Sequence, residues 1–406
     1  MQDWGGVLTE ILPYNRVNSK IVCKIFQVAY GLKAVKEVNI MKKLASLCSC
    51  LALSLSLGMA TLAPATPAVA APREKVILDA DMVDLFDDGV AMMMLADSPK
   101  VELKGVSIVI GNTWVETGTA SAIRQLEGFK RSDIPVYMGV NKVTREGRFE
   151  QIKAEKKKFG RGFDSHLGAI GYAKPDSWQT EYRKNYKAEP VMQPQKQAAP
   201  DFIIDTVKKY PNQVTIVAIG SAANLAAALE KAPEIANLAK RVVYMAGAFF
   251  VEGNVMPTAE FNVWIDPETA KKVYRAPWKE QIFLPLDVCS KELMTQKDFV
   301  NLENRIKTKR FKDMWENHYA TPLFRNYPSF QNFIWDVLAA AVAIDPSVIL
   351  ESETLPIDVD DQFGLGYGQT LAFRGYGPEG AQNAKIVYKV DHDKIWRMIE
   401  KVFDKL

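Results

Sequence analysis

The sequence predicts an α/β fold in which a mostly parallel sheet is covered by helices on both faces. Three observations lead there. Strand-like runs recur as continuous apolar segments, VILDAD, VELKGVSIVIGN, IPVYMG, VTIVAIGS, RVVYMAG and QIFLPLDV. Such unbroken runs suit strands buried on both faces. Helical stretches alternate with them: TASAIRQLEGF, PDFIIDTVKKY, AANLAAALEKAPEIANLA and DPETAKKVYRA. That alternation is the signature of a parallel sheet with crossover helices. Finally, polar and glycine-rich features follow the strands, at Gly111-Asn112, Gly220-Ser221 and Gly247. In open α/β sheets ligands bind at the carboxyl ends of strands.

From Met41 the sequence runs MKKLASLCSCLALSLSLGMATLAPATPAVAAPREK. Lys42 and Lys43 form a basic start, the following residues an apolar core, and Ala68-Val69-Ala70 a small-residue cleavage site. An uncleaved membrane anchor is the alternative, since the apolar stretch is nearly long enough to span a bilayer. The Ser, Ala and Cys content and the A-x-A site favour cleavage, so the expectation is an exported chain without a stable membrane anchor. Residues 1–40 precede this signal and are expected to be a mis-assigned upstream extension. Residues 41–70 are then the signal peptide, and 71–406 the functional domain.

Removing residues 1–70 changes the charge. The whole chain has 51 Lys+Arg and 48 Asp+Glu, and residues 71–406 keep 44 against 45. No basic excess remains to suggest nucleic-acid binding. Of four cysteines only Cys289 remains, so no internal disulfide is possible and a full hydrophobic core must hold the domain.

The first strand leads into VILDADMVDLFDDGV (76–90), which carries Asp79, Asp81, Asp84, Asp87 and Asp88. Crowded carboxylates stay ionised only if solvated or holding a cation. Two later regions interrupt the rhythm. Residues 141–200 are polar, with KAEKKKFGRG and AEPVMQPQKQAAP, and read as long surface loops, KAEKKK being a solvated face. Residues 290–334 carry the patches MWENHY, PLFRNYPSF and FIWD, which read as helices able to cover a site.

DADMV (79–83) fits the DxDx[TV] pattern of haloacid-dehalogenase-like phosphatases. That reading makes Asp79 a nucleophile, Asp81 an acid/base and Mg²⁺ the cation. A longer match exists. The D-x-D with its later D-D pair resembles the inosine–uridine-preferring nucleoside hydrolases. So do VTIVAIGSAANLAAAL (214–229), MAGAFFVEGNVMPTAEFNVWIDPETAKKVY (245–274) and WDVLAAAVAIDP (335–346). The resemblance covers nearly all of 75–403. It implies a Rossmann-like nucleoside hydrolase fold, a small ribonucleoside as partner, Ca²⁺ as cofactor, and allows a homo-oligomer.

Chemistry agrees with it. Cleaving an N-glycosidic bond passes through an oxocarbenium-like sugar cation, which needs nearby anions and a positioned water. Calcium takes six to eight oxygens, from carboxylates and carbonyls, and can acidify a water. By resemblance, Asp81 is a metal ligand and general base, Asp88 and Asp336 are metal ligands, and Ala223 offers its carbonyl. Asp87 accepts from a ribose hydroxyl, and Asp79 steadies the other carboxylates. Asp84 has no counterpart role and is expected to be a solvent-exposed loop acid.

Asn112, Asn254, Glu260 and Asn262 hold the ribose in this reading. His166, in SHLGAIG, resembles a loop near the site, and His392 is expected to be structural. Trp335 stands where other members carry a histidine. The subgroup with Trp-Asp stacks a purine on the indole, so a purine ribonucleoside is the expected substrate. A non-catalytic nucleoside-binding protein is the remaining alternative, disfavoured because binding alone needs no general base.

Overall fold

Strand β1 (Glu74–Ala80) is buried from Val76 onward, and its side chains alternate between two cores. Val76, Leu78 and Ala80 enter one, whereas Ile77 enters the other, as the two-residue period of a strand requires. The computed structural model describes residues 72–85, 87–159 and 166–406. The signal peptide and upstream extension expected from the sequence, residues 1–70, lie outside the described residues.

Five further strands match the apolar runs: β2 (Val101–Ile108), β3 (Val136–Met138), β4 (Val214–Ala218), β5 (Arg241–Tyr244) and β6 (Gln281–Phe283). All neighbouring pairs among these six are parallel. Three strands not anticipated from sequence extend the sheet: β7 (Ile349–Val359), β8 (Thr370–Ala372) and β9 (Gln382–Val390). The nine-stranded order is β8-β7-β9-β6-β5-β4-β1-β2-β3. Strand β9 runs parallel to β6, and β7 pairs antiparallel with both β9 and β8. The chain steps outward from β1 to β3 and then returns to lay β4 on β1's other side. That reversal opens a crevice beyond the carboxyl ends of β1 and β4.

Helices close both faces. Helices Asp88–Asp97, Val115–Gly128, Asp336–Ile344 and His392–Phe403 pack into the first core. Helices Ala199–Lys209, Ala223–Lys231 and Pro267–Tyr274 pack into the second. Residues 88–96 are all buried, so helix Asp88–Asp97 is an internal element, apolar all round between its two terminal aspartates. Cys289 is buried and unpaired. Among the described residues, no helix is long and apolar enough to cross a membrane.

Two regions differ from expectation. The polar stretch 141–200 is not simply loop: it holds helices Arg148–Phe159 and Trp178–Tyr186. The first turns Arg148, Ile152 and Glu155 inward, so its inner face is largely charged and invisible to a search for apolar periodicity. Within KAEKKK, Lys153, Lys157 and Lys158 are exposed as expected, but Glu155 is buried and pairs with Arg148. Arg148 also donates to the Trp264 carbonyl at 2.7 Å and lies over the rings of Trp264 (5.0 Å) and Tyr367 (4.6 Å). In the aromatic region, helices Gln296–Arg305, Lys309–Asn317 and Ala320–Asn326 form. FIWD does not form a helix: Asn332–Phe333 pairs antiparallel with Leu293–Met294, and the helix begins only at Asp336.

Candidate active site

Strand β1 ends at Ala80, placing Asp79 and Asp81 at the carboxyl edge of the central strand. Asp79, Asp81 and Asp88 are fully buried, and Asp336 is 2% exposed. Asp88 lies in the first turn of its helix, and Asp336 in the first turn of Asp336–Ile344. A helix start favours a carboxylate through its free amides and dipole. Asp87 joins the two: its Oδ1 accepts the Asp336 N–H at 2.7 Å.

Asp81 is oriented by the loop after β2. Its Oδ2 accepts the Asn112 N–H at 2.5 Å, and its carbonyl accepts from Thr113 Oγ1 at 3.1 Å. Gly111 permits this approach, because a Cβ there would strike the Asp81 carboxylate. Asp79 Oδ1 accepts from Asn224 Nδ2 at 2.7 Å, while Asn224 Oδ1 takes the Val140 N–H at 2.8 Å. Asn224 was not singled out from sequence, although its GSAAN setting was the available signal.

Five buried oxygens here make no well-formed hydrogen bond among the described residues: Asp79 Oδ2, Asp81 Oδ1, both of Asp88, and Asn262 Oδ1, although the Val83 and Asp88 amides lie near the Asp88 carboxylate. Buried acceptors are normally satisfied. Burial pushes Asp79 up to about 7, opposed by Asn224 and reinforced by the charge of Asp81. Burial likewise raises Asp81 to about 6 and Asp87 to about 7. Asp88 and Asp336 are driven well above the ordinary range by burial first and then by the neighbouring aspartates. A cation among these acids would reverse that pressure.

Among the described residues, no group of three or more His, Cys, Asp or Glu side chains is placed to hold a metal ion by itself. The donor set nonetheless fits a hard cation, being all oxygen, anionic and unsatisfied. Ala223 begins helix Ala223–Lys231 beside this cluster, bonded through Asn224 to Asp79. Its carbonyl keeps a second lone pair beyond any helical bond.

The ribose-binding candidates gather on the neighbouring loop. Glu260 is 2% exposed, and its two oxygens accept the N–H groups of Asn262 and Gly247, each at 2.9 Å. Burial raises its pKa to about 7. Asn262 donates to the carbonyls of Ile219 and Met245, each at 3.0 Å, tying this loop to the ends of β4 and β5. Asn254 Oδ1 accepts the Phe261 N–H at 3.0 Å. His166 Nε2 meets Asn112 Oδ1 at 2.9 Å, and its ring packs 4.8 Å from that of Phe261. Thus His166 is brought beside the Asp81 loop. Trp335 is half-buried, with Phe333 stacked on one face at 5.4 Å and 12°. His392 is exposed and pairs with Glu292 at 2.6 Å.

One expectation fails outright. Asp84 is not a solvent-exposed loop acid. Its carboxylate accepts from Ser121 Oγ and, at 2.8 and 2.9 Å, from the Tyr186 hydroxyl. Those partners come from helices that sequence could not place beside it.

Fold and site define the class: an α/β protein whose buried acids meet at the switch point of a parallel sheet. The chain belongs to the inosine–uridine preferring nucleoside hydrolase family, whose profile matches residues 76–397. An inosine–uridine preferring nucleoside hydrolase of Crithidia fasciculata is 28% identical over 344 residues, 82% of this chain and 98% of that protein. An uncharacterised protein of Schizosaccharomyces pombe is 37% identical over 215 residues, 53% of this chain. The chain spans 61% of the length of that relative. Among solved structures, a purine-preferring ribonucleoside hydrolase from Gardnerella vaginalis has a TM-score of 0.64 at 27% identity. That match covers 82% of this chain and 98% of the other.

Proposed function

We propose that the protein is a Ca²⁺-dependent N-ribohydrolase that splits ribonucleosides, preferentially those of purines, into base and ribose outside the cytoplasm. One observation carries the reading: unsatisfied carboxylate oxygens of Asp79, Asp81 and Asp88 lie where a parallel sheet binds its ligands, beside Asp336, which Asp87 ties to them. Family membership supports the reaction type. The likeness to a purine-preferring hydrolase and the position of Trp335 support the substrate preference. The signal-like segment from Met41 supports export.

Asp81, Asp88 and Asp336, with the Ala223 carbonyl, would hold the ion. When bound, calcium would grip the sugar's vicinal hydroxyls and make a water more acidic. The chain's own groups do the rest. Asn112 fixes one Asp81 oxygen, which leaves Oδ1 to take a proton from the attacking water. Asp79, held by Asn224, keeps negative charge behind Asp81. Asp87, anchored on the Asp336 amide, accepts from a ribose hydroxyl. Asn254, Glu260 and Asn262 position the far side of the sugar, and the unpartnered Asn262 Oδ1 is an available acceptor there. The buried acids together stabilise the positive charge that develops on the ribosyl ring.

The phosphatase alternative fits less well. It needs Asp79 as the nucleophile, whereas Asp79 Oδ1 is committed to Asn224, and it gives no role to Glu260, Asn262, Trp335 or Asp336. A panel of inosine, adenosine, uridine and p-nitrophenyl phosphate, with and without EDTA, tests the proposal. Release of ribose from nucleosides, abolished by EDTA, supports it. Turnover of the phosphate ester alone, or binding without turnover, overturns it.

A further inference from the structure

The loop between the two pairs of site acids is held from outside the site. Residues 82–85 follow Asp81 just beyond the end of β1, and Leu85 among them has φ 41°. A leucine rarely adopts that left-handed backbone, so surrounding contacts must impose it. Helix Val115–Gly128 supplies them. Gln125 accepts the Leu85 N–H through Oε1 at 3.1 Å and donates through Nε2 to the Val83 carbonyl, also at 3.1 Å. Ser121 stands one turn earlier on the same face and donates to Asp84. Tyr186 reaches Asp84 from the other side, with the Arg124 guanidinium 5.1 Å over its ring. On the site side, Gly89 packs so closely that a Cβ there would collide with the Gln125 amide.

The peptide groups on both sides of Asp84 and its own carboxylate are thus tied to one helix and one tyrosine.

We propose that Asp84 is a positioning residue: with Ser121, Gln125 and Tyr186 it clamps residues 83–85 and so sets the spacing of Asp81 against Asp87 and Asp88 for the cation. The inference rests on the calcium reading given under Proposed function. The spacing matters because a cation demands its oxygens together, and a loop left free would have to be ordered on each binding event. Outer groups that orient ligand-bearing elements typically affect metal affinity about 10–100-fold.

The test is calcium titration of the full chain by calorimetry, alongside melting curves and kcat and KM for inosine. Asp84→Ala is expected to weaken calcium binding by about 10–100-fold and to lower kcat at limiting calcium, with kcat recovering as calcium is raised. Tyr186→Phe and Ser121→Ala each delete one hydroxyl and leave the packing intact. Each should weaken calcium binding in the same direction, and they remain informative if Asp84→Ala does not fold. A purely structural Asp84 would give a lower melting temperature with unchanged calcium affinity in all three variants, and that result overturns the inference. Wild-type protein that binds no calcium overturns the calcium reading and this inference with it. Wild-type binding with unaltered variants overturns this inference alone.

Discussion

The Asp336 N–H donates to Asp87 Oδ1 at 2.7 Å, linking residues 249 positions apart. One hydrogen bond therefore joins the first βα loop to a helix near the end of the chain. Asp336 is buried and Asp87 half-buried, and both are raised in pKa, first by loss of water and then by neighbouring aspartates. An ion between them would relieve the repulsion and draw distant segments together. Chelation is accordingly expected to lower both ribohydrolase activity and melting temperature. A ligand bound only by the folded state adds about 2.7 kcal/mol at a hundredfold excess over Kd. Full activity in EDTA-treated, metal-free protein would refute the calcium reading.

Replacing the proposed base should separate chemistry from folding. Asp81→Asn keeps the shape and can still accept the Asn112 N–H, but it loses a proton acceptor. General-base catalysis contributes roughly 10²–10⁴-fold, so kcat should fall by about that factor while the protein stays folded. Single-turnover assays with inosine check it. A variant retaining most of its kcat would move the base elsewhere.

Sequence alone makes Asp84 an indifferent position, but the structure reverses that expectation. Asp84→Ala strands the hydroxyls of Ser121 and Tyr186 beside a buried loop. Leaving a buried donor unsatisfied costs about 1–3 kcal/mol, so the midpoint of denaturant unfolding should drop accordingly. An unchanged midpoint would mean that water satisfies both groups.

Trp335 is expected to act on the leaving base. An indole face can favour a protonated purine by cation–π attraction, up to about 2 kcal/mol or more when desolvated. Phe333 covers one face of the ring, which supports its orientation. Trp335→Ala should slow purine nucleosides far more than p-nitrophenyl riboside, whose leaving group needs no proton. If both substrates suffer alike and calcium is lost, Trp335 merely holds Asp336 in place. Faster cleavage of uridine than of any purine nucleoside by the wild type would also defeat the stacking account.

Export is a proposal with its own measurement. Cell fractionation and N-terminal sequencing should find a mature chain beginning near Ala71, outside the cytoplasm. An intact cytosolic chain starting at Met1 would remove the signal-peptide argument.

The parallel half of the sheet is legible because its strands are short, continuous apolar runs, as in VILDAD and VTIVAIGS, that alternate with helical segments. The strands β7 and β9 are not, since ILESETLPIDV and QNAKIVYKV mix charged and apolar residues and are partly exposed. The candidate acids at 79–88 are legible from a motif that is local in sequence. The partners that give them meaning are not: Asn224 lies 145 residues from Asp79, and Tyr186 lies 102 from Asp84. Such contacts depend on how helices dock, which no short window of sequence encodes. Helix Arg148–Phe159 escaped for a related reason, because two of its three inward residues are charged.

That charged inner face restricts how the region can change over mutational time. Arg148 and Glu155 are paired out of water against Trp264, on the short helix that also carries Asn262. Losing either partner strands the other's charge and destabilises by about 3–5 kcal/mol, whereas an apolar pair of similar volume is often neutral or better. The two positions therefore sit on opposite sides of a fitness valley that single substitutions must descend into. Arg148→Met with Glu155→Leu should melt above either single variant. A double variant no more stable than the worse single one would show that the valley has no far side.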